Sequence, residues 1–135
     1  MNVIVDTSVW SIALRRTKKV DGVAPRELAE LIREGRVTML GRIRQELLSG
    51  IKERASFESL REHLRAFPDL QLEAADYEEA ASAFNRCRER GVQGSNTDFL
   101  MVAAALRRGL SIFTTDGDFG HFARVLRLKL HRPRD

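Results

Sequence analysis

The sequence predicts an α/β fold, a largely parallel sheet flanked by helices, and three observations predict it. Short β-branched runs alternate with longer segments of helical periodicity along the whole chain. The strand candidates at 2–5, 37–40, 70–72 and 111–114 are each followed by a helix candidate rather than by a hairpin turn. The 135 residues, 43% hydrophobic and 31% charged, carry no internal repeat, low-complexity tract or linker, which suits one domain spanning 1–135.

The elements follow in order. Residues 2–5 are short and β-branched, a buried first strand, and Asp6 bounds it. Thr7 or Ser8 then caps a helix carrying Val9, Trp10, Ile12 and Leu14. Residues 15–22 are polar and read as a loop. Pro25 suits the first turn of a second helix, with Leu28, Leu31 and Ile32 at helical spacing and Gly35 as its stop. After the strand candidate at 37–40, residues 42–49 form a short helix carrying Glu46, closed by Gly50. A further helix at 53–67 presents Phe57, Leu60, Leu64 and Phe67 before Pro68 breaks it. Asp76 and Glu79 are spaced as a capping box for a helix ending near Gly91. Gly94, Ser95 and Asn96 make a turn. Residues 97–108 are strongly helical and largely apolar, with Gly109 at the end. Asp116, Gly117 and Asp118 form a turn before a short helix at 119–125. Residues 127–131 alternate polar and apolar, as a half-exposed edge strand does.

Bulk properties narrow the function. The single cysteine, Cys87, forms no internal disulfide, which suits a reducing, cytoplasmic location. The longest uninterrupted apolar run, 99–106, falls far short of the ~20 residues that span a bilayer, and no basic, then apolar, export segment opens the chain. A formal net charge of +4, mostly from arginines, favours acidic partners such as nucleic acid.

Ligands of open α/β sheets sit beyond the carboxyl ends of the strands. Asp6 follows the first strand, Asp116 follows the strand at 111–114, Asp98 opens the helix before that strand, and Glu46 lies on the helix after 37–40. Each acid alone has a structural explanation: a cap, a solvated helical glutamate, a helix-dipole partner or a turn. Their joint placement points to chemistry. Two carboxylates ~5 Å apart repel by roughly 3 kcal/mol at an effective dielectric near 20, so acids meeting at one edge need a cation or bind protons. All-oxygen donors suit Mg²⁺ or Mn²⁺ rather than zinc. His63, His121 and His131 have no mutual ligand spacing and are taken as surface or packing residues.

The segments around these acids are Asp6-Thr7-Ser8-Val9-Trp10, Glu46-Leu47-Leu48-Ser49-Gly50, Asp98-Phe99-Leu100-Met101-Val102-Ala103-Ala104 and Thr114-Thr115-Asp116-Gly117-Asp118-Phe119. They resemble the four acidic motifs of the PIN domain, above all its VapC-type toxin ribonucleases, in order, spacing and total length over residues 2–131. The resemblance implies a three-layer sandwich around a parallel sheet of four to five strands. It implies a Mg²⁺- or Mn²⁺-dependent endoribonuclease acting on structured RNA, tRNA or ribosomal RNA, as the toxin of a type II toxin–antitoxin pair. A homodimer and a VapB-like antitoxin are the implied partners. Position by position, Asp6, Glu46, Asp98 and Asp116 match the catalytic and metal-binding quartet, Asp118 the auxiliary aspartate, and Thr7 and Thr114 the hydroxyls beside the site. Gly117 departs from the pattern, which often has a larger residue there.

Water attack on a phosphodiester would leave 5′-phosphate and 3′-hydroxyl ends. Arg15, Arg16, Lys18 and Lys19 are candidate RNA contacts in the loop near Asp6, and Arg127, Lys129 and His131 a candidate basic edge. The competing reading is an RNA- or protein-binding module with little turnover. Phosphatases of the haloacid dehalogenase type want an acid where Ser8 stands, and receiver domains want paired acids near the first strand.

Overall fold

The computed structural model describes residues 1–15 and 22–134. Its central strand is β1 (Val3–Val5), whose three side chains are wholly buried. Burial on both faces is what an uninterrupted run of β-branched residues specifies. β1 pairs in parallel with β2 (Val37–Thr38) on one side and β3 (Ser111–Phe113) on the other, giving the order β2-β1-β3. The register sets Val3 opposite Val37 and Ser111, and Val5 opposite Phe113. The carboxyl ends of β1 and β3 therefore lie side by side, and Asp6 N–H donates to the Phe113 carbonyl at 2.9 Å.

Among the described residues, seven helices flank the sheet: α1 (Thr7–Leu14), α2 (Val23–Arg33), α3 (Gly41–Leu48), α4 (Arg54–Leu64), α5 (Ala74–Glu89), α6 (Asn96–Arg108) and α7 (Asp118–Leu126). Among the described residues, none is long and apolar enough to cross a membrane. The most buried is α6, where Phe99 to Ala105 are all inaccessible or nearly so. It starts at Ser95, whose hydroxyl accepts the Asp98 N–H, and stops at Gly109, which takes the left-handed conformation (φ 67°) that closes a helix at little cost in glycine.

An unbroken line of aromatic contacts joins α5, α6 and α7. Phe84 meets Phe99 at 5.4 Å between ring centres, Phe99 meets Phe122 at 4.9 Å, and Phe122 meets Phe119 at 5.1 Å. Such pairs contribute about 0.5–1.5 kcal/mol each beyond their area. They also crowd the turn before α6: a Cβ on Gly94 would fall 2.5 Å from Phe122 Cζ. Glycine there is a packing requirement.

Charge fixes the far end of the same helix. Asp76, fully buried on α5, accepts from Arg107 at 2.7 Å and from Arg108 at 2.7 and 2.9 Å. The Arg108 hydrogen bond foremost, then the Glu73 N–H and Arg107, hold its carboxyl far below the usual carboxylate range against the opposing effect of burial. Arg44 does similar work for α3, donating to Asp69 Oδ1 at 2.9 and 3.0 Å and to the Leu64 carbonyl at 3.0 Å.

Several boundaries differ from the sequence reading. Among the described residues the sheet has three ladder strands, not four to five. The candidate at 70–72 forms no strand, a single parallel bridge lying one residue before it between Met39 and Asp69, and the candidate at 127–131 reduces to a single parallel bridge between Ile112 and Leu130. On the partner side β2 gives way to α3 at Gly41, which leaves Met39 alone to pair at the first edge, and Pro133, lacking an N–H, curtails the second. The capping box of α5 is Glu73 with Asp76, not Asp76 with Glu79. The cap of α1 is Asp6, not Thr7 or Ser8, and no side-chain hydrogen bond serves it. Trp10 belongs to the core, edge-on to Phe67 at 5.2 Å, while Ile12 and Leu14 are half-buried.

Candidate active site

Beyond the carboxyl ends of β1 and β3 the chain assembles a set of acids and hydroxyls. Asp6, the first residue after β1, is only 7% exposed. Its Oδ2 accepts from the Thr114 hydroxyl at 2.7 Å and the Ser8 hydroxyl at 2.8 Å. Those two hydroxyl oxygens lie 3.3 Å apart. The Thr114 oxygen also accepts the Asp116 N–H at 3.0 Å, and the Ser8 oxygen the Thr115 N–H at 3.1 Å. The loop after β3 is thereby laced to the loop after β1.

Asp116 is exposed, and its Oδ1 accepts the Asp118 N–H at 2.9 Å. Asp118 thus orients Asp116 through its backbone, while its own side chain is exposed at the start of α7. Asp98 sits at the third position of α6, in a reciprocal box with Ser95: its Oδ2 accepts the Ser95 N–H at 3.1 Å. Burial, then the negative charges of Asp6 and Asp116, push the Asp98 carboxyl above its ordinary value, although hydrogen bonds from Ser95 pull the other way. Asp98 therefore lies within electrostatic reach of two of the other sequence-predicted acids, Asp6 and Asp116. Glu46 is exposed on α3, and its Oε1 accepts from the Thr7 hydroxyl at 2.7 Å. Since Thr7 adjoins Asp6, Glu46 stands at the rim of the same group.

Among the described residues, no three Asp, Glu, His or Cys side chains stand close enough to enclose a metal ion as they are. The site is an open edge rather than a closed cage. Its donor chemistry nonetheless fits a hard divalent cation. One oxygen of each of Asp6, Asp98 and Asp116 is oriented by the fold, and among the described residues the other accepts no hydrogen bond. Hydrated Mg²⁺ needs only one or two carboxylates plus waters and phosphate oxygens, not an all-protein enclosure.

Two functional candidates escaped the sequence reading. Ser8 was taken only as a possible cap, yet it holds Asp6; its place two residues after the acid was the available signal. Ser95 is the residue that fixes Asp98, and the Ser-x-x-Asp spacing before an apolar helix announced it. Of the expected RNA contacts, Arg15 is exposed at the end of α1, whereas Arg16, Lys18 and Lys19 lie outside the described residues. The expected basic edge is incomplete. Arg127 and Lys129 are exposed, but His131 turns inward to Glu27 and lies edge-on to Phe113 at 5.3 Å.

Comparison with known proteins identifies the family and the fold. The PIN domain model matches residues 3–125. Ribonuclease VapC11 of Mycobacterium tuberculosis is 30% identical over 131 residues, covering 94% of this chain and 96% of the relative. The crystal structure of FitAcB from Neisseria gonorrhoeae superposes with a TM-score of 0.77 at 20% identity, covering 97% of both chains. That of VapBC2 from Rickettsia felis, bound to a DNA fragment from their promoter, gives 0.74 at 18% identity over 97% of this chain and 98% of the other. At such identities the two structures establish a shared fold. Since the family match takes in the first strand, every acidic position and most of α7, and a full-length relative carries the same branch name, the chain belongs to the PIN domain family, in its VapC branch.

Proposed function

We propose that this chain is the ribonuclease toxin of a type II toxin–antitoxin pair, a divalent-metal-dependent endoribonuclease for structured RNA such as tRNA or ribosomal RNA. The observation that carries this reading is geometric: the Thr114 hydroxyl ties Asp6 to Asp116 beyond the ends of β1 and β3, and Asp98 lies near enough to feel both charges. Acids gathered beyond the carboxyl ends of parallel strands, each with one carboxylate oxygen left free among the described residues, are suited to a hard divalent cation. The ribonuclease name of the mycobacterial relative supports the substrate class.

Asp6, Asp98 and Asp116 would hold Mg²⁺ or Mn²⁺, with Glu46 either adding a donor or orienting the attacking water. The bound ion would supply a Lewis acid that makes water more acidic and offsets charge on the phosphate. The chain's own residues prepare for that. Ser8 and Thr114 fix one Asp6 oxygen and leave the other available. Thr7 steadies Glu46, and the Asp118 backbone steadies Asp116. Hydrolysis by water would leave 5′-phosphate and 3′-hydroxyl ends. A VapB-like antitoxin and a homodimer follow from the family reading, and phosphate contacts from basic residues such as Arg15 would make RNA binding salt-sensitive.

The test is cleavage of total tRNA and ribosomal RNA with Mg²⁺, Mn²⁺ or EDTA, by wild type and by Asp98→Asn, with the ends mapped. Metal-dependent cuts bearing 5′-phosphates and lost in Asp98→Asn are expected. Cyclic 2′,3′-phosphate ends would reject the chemistry. RNA bound but never cut would favour the binding-module reading.

A further inference from the structure

A cavity of about 490 Å³ lies between α3, α5 and the start of α6. That volume is ordinary for a small-ligand site. Its wall on α5 carries Tyr77 and Phe84, seven residues and so two helical turns apart on one face. Tyr77 is 56% exposed, and Phe84 is held in place by its edge contact with Phe99. Ala81 lies between the two rings and leaves room for a flat group. Asn85 and Asn96 contribute carboxamides, each able both to donate and to accept.

The cavity adjoins the acids through two elements. Thr97, which lines it, immediately precedes Asp98 on α6. Arg42, which also lines it, lies one turn before Glu46 on α3. Its guanidinium is directed to neutral partners, Thr97 Oγ1 at 3.3 Å and Gln45 Oε1 at 3.1 Å, and among the described residues it pairs with no carboxylate. It is a cation left available to a phosphate.

Building on the ribonuclease reading, we propose that this cavity receives an unpaired base of the RNA, flanking the phosphate presented to Asp6, Asp98 and Asp116. Unstacked bases are recognised by aromatic faces together with hydrogen bonds to their edges, and the cavity offers both. Tyr77 and Phe84 supply the stacking surface, Asn85 and Asn96 read the base edge, and Arg42 holds the adjoining phosphate. The site acts in specificity, selecting which nucleotide flanks the cut.

The probe is a short random-sequence single-stranded RNA containing 5-iodouridine, photo-cross-linked to wild type in EDTA and mapped by mass spectrometry. Adducts at Tyr77 or Phe84 are expected. Ala81→Trp fills the cavity from an exposed position and Asn85→Ala removes an edge contact; thermal melts confirm that each folds. Ala81→Trp should weaken binding of this RNA and raise KM for cleavage roughly ten-fold, the size of one lost base–aromatic stack, with kcat little changed. Asn85→Ala should alter the nucleotide preference beside the cut. Wild-type affinity and preference in both variants, or adducts confined to other residues, overturn the base site alone. Loss of dimerisation in Ala81→Trp, with adducts at neither ring, overturns it in favour of a contact between copies. A wild type that neither binds nor cuts RNA overturns instead the reading on which the proposal rests.

Discussion

The Thr114 hydroxyl donates to Asp6 Oδ2 at 2.7 Å across 108 residues of sequence. The same oxygen accepts the Asp116 N–H at 3.0 Å, so one hydroxyl sets the spacing between two acids from neighbouring parallel strands. Thr114→Val keeps the shape and deletes the link. A lost partner of a metal ligand typically costs about 10–100-fold in metal affinity or activity. We expect a loss in that range for Mn²⁺-dependent RNA cleavage, with a melting temperature close to wild type. Undiminished cleavage would show that the bridge does not organise the site.

Asp98 carries the opposite of a stabilising shift. Its folded carboxyl binds protons more readily than the unfolded one, so the folded state holds more protons between the two values. Stability then falls as pH rises through that window. Neutralising the group by Asp98→Asn, which keeps an oxygen for the Ser95 N–H, should leave the metal-free protein as stable as wild type at neutral pH, or slightly more so, while abolishing cleavage. Denaturant titrations at pH 4 and 7 check the sign: the advantage of Asp98→Asn should shrink at the lower pH.

Asp76 works the other way. Arg108 and Arg107 depress its folded carboxyl below the unfolded value. Its contribution is therefore present above the unfolded value, about 4, and is lost as pH falls further. Removing one member of such a buried pair costs several kcal/mol, and partial exposure of both arginines places this case near 2–3 kcal/mol. Asp76→Asn should destabilise by about that much in urea at pH 7 and by less at pH 3. An unchanged urea midpoint at pH 7 would contradict the role assigned to the pair.

Gly94→Ala tests the aromatic packing beneath α6. Its methyl would meet Phe122 and Phe99 at 2.5 and 3.1 Å, and overpacking of this kind costs roughly 1–3 kcal/mol. Since the same turn sets the entry of α6 at Ser95, cleavage should fall together with the melting temperature.

The helices and the central strand were legible because their causes are local. The apolar run Phe99 to Ala105 announces burial wherever it occurs, and Val3 to Val5 can hardly be other than an inner strand. The strand count was not legible. Whether residues 70–72 or 127–131 form a ladder depends on how many residues of a partner distant in sequence lie opposite them, and at each edge only one pair forms, Met39 with Asp69 and Ile112 with Leu130. That Asp6 and Asp116 would lie at one edge was legible, because sheet topology says where strand ends gather. Ser8 was not, since a serine after a strand reads as a cap until Thr114 is seen beside it. Nor was His131, whose inward turn depends on Glu27 from α2. The tie between Thr97 and Arg42 is likewise a product of folding, joining two segments 55 positions apart.

The most direct measurement is a titration of the purified protein with Mn²⁺, reading the free-ion electron paramagnetic resonance signal for wild type and Asp98→Asn. Saturable binding by wild type, weakened at least ten-fold in the variant, is the predicted result. Equal binding by both, or none by either in the presence of RNA, would contradict a cation site built on Asp6, Asp98 and Asp116.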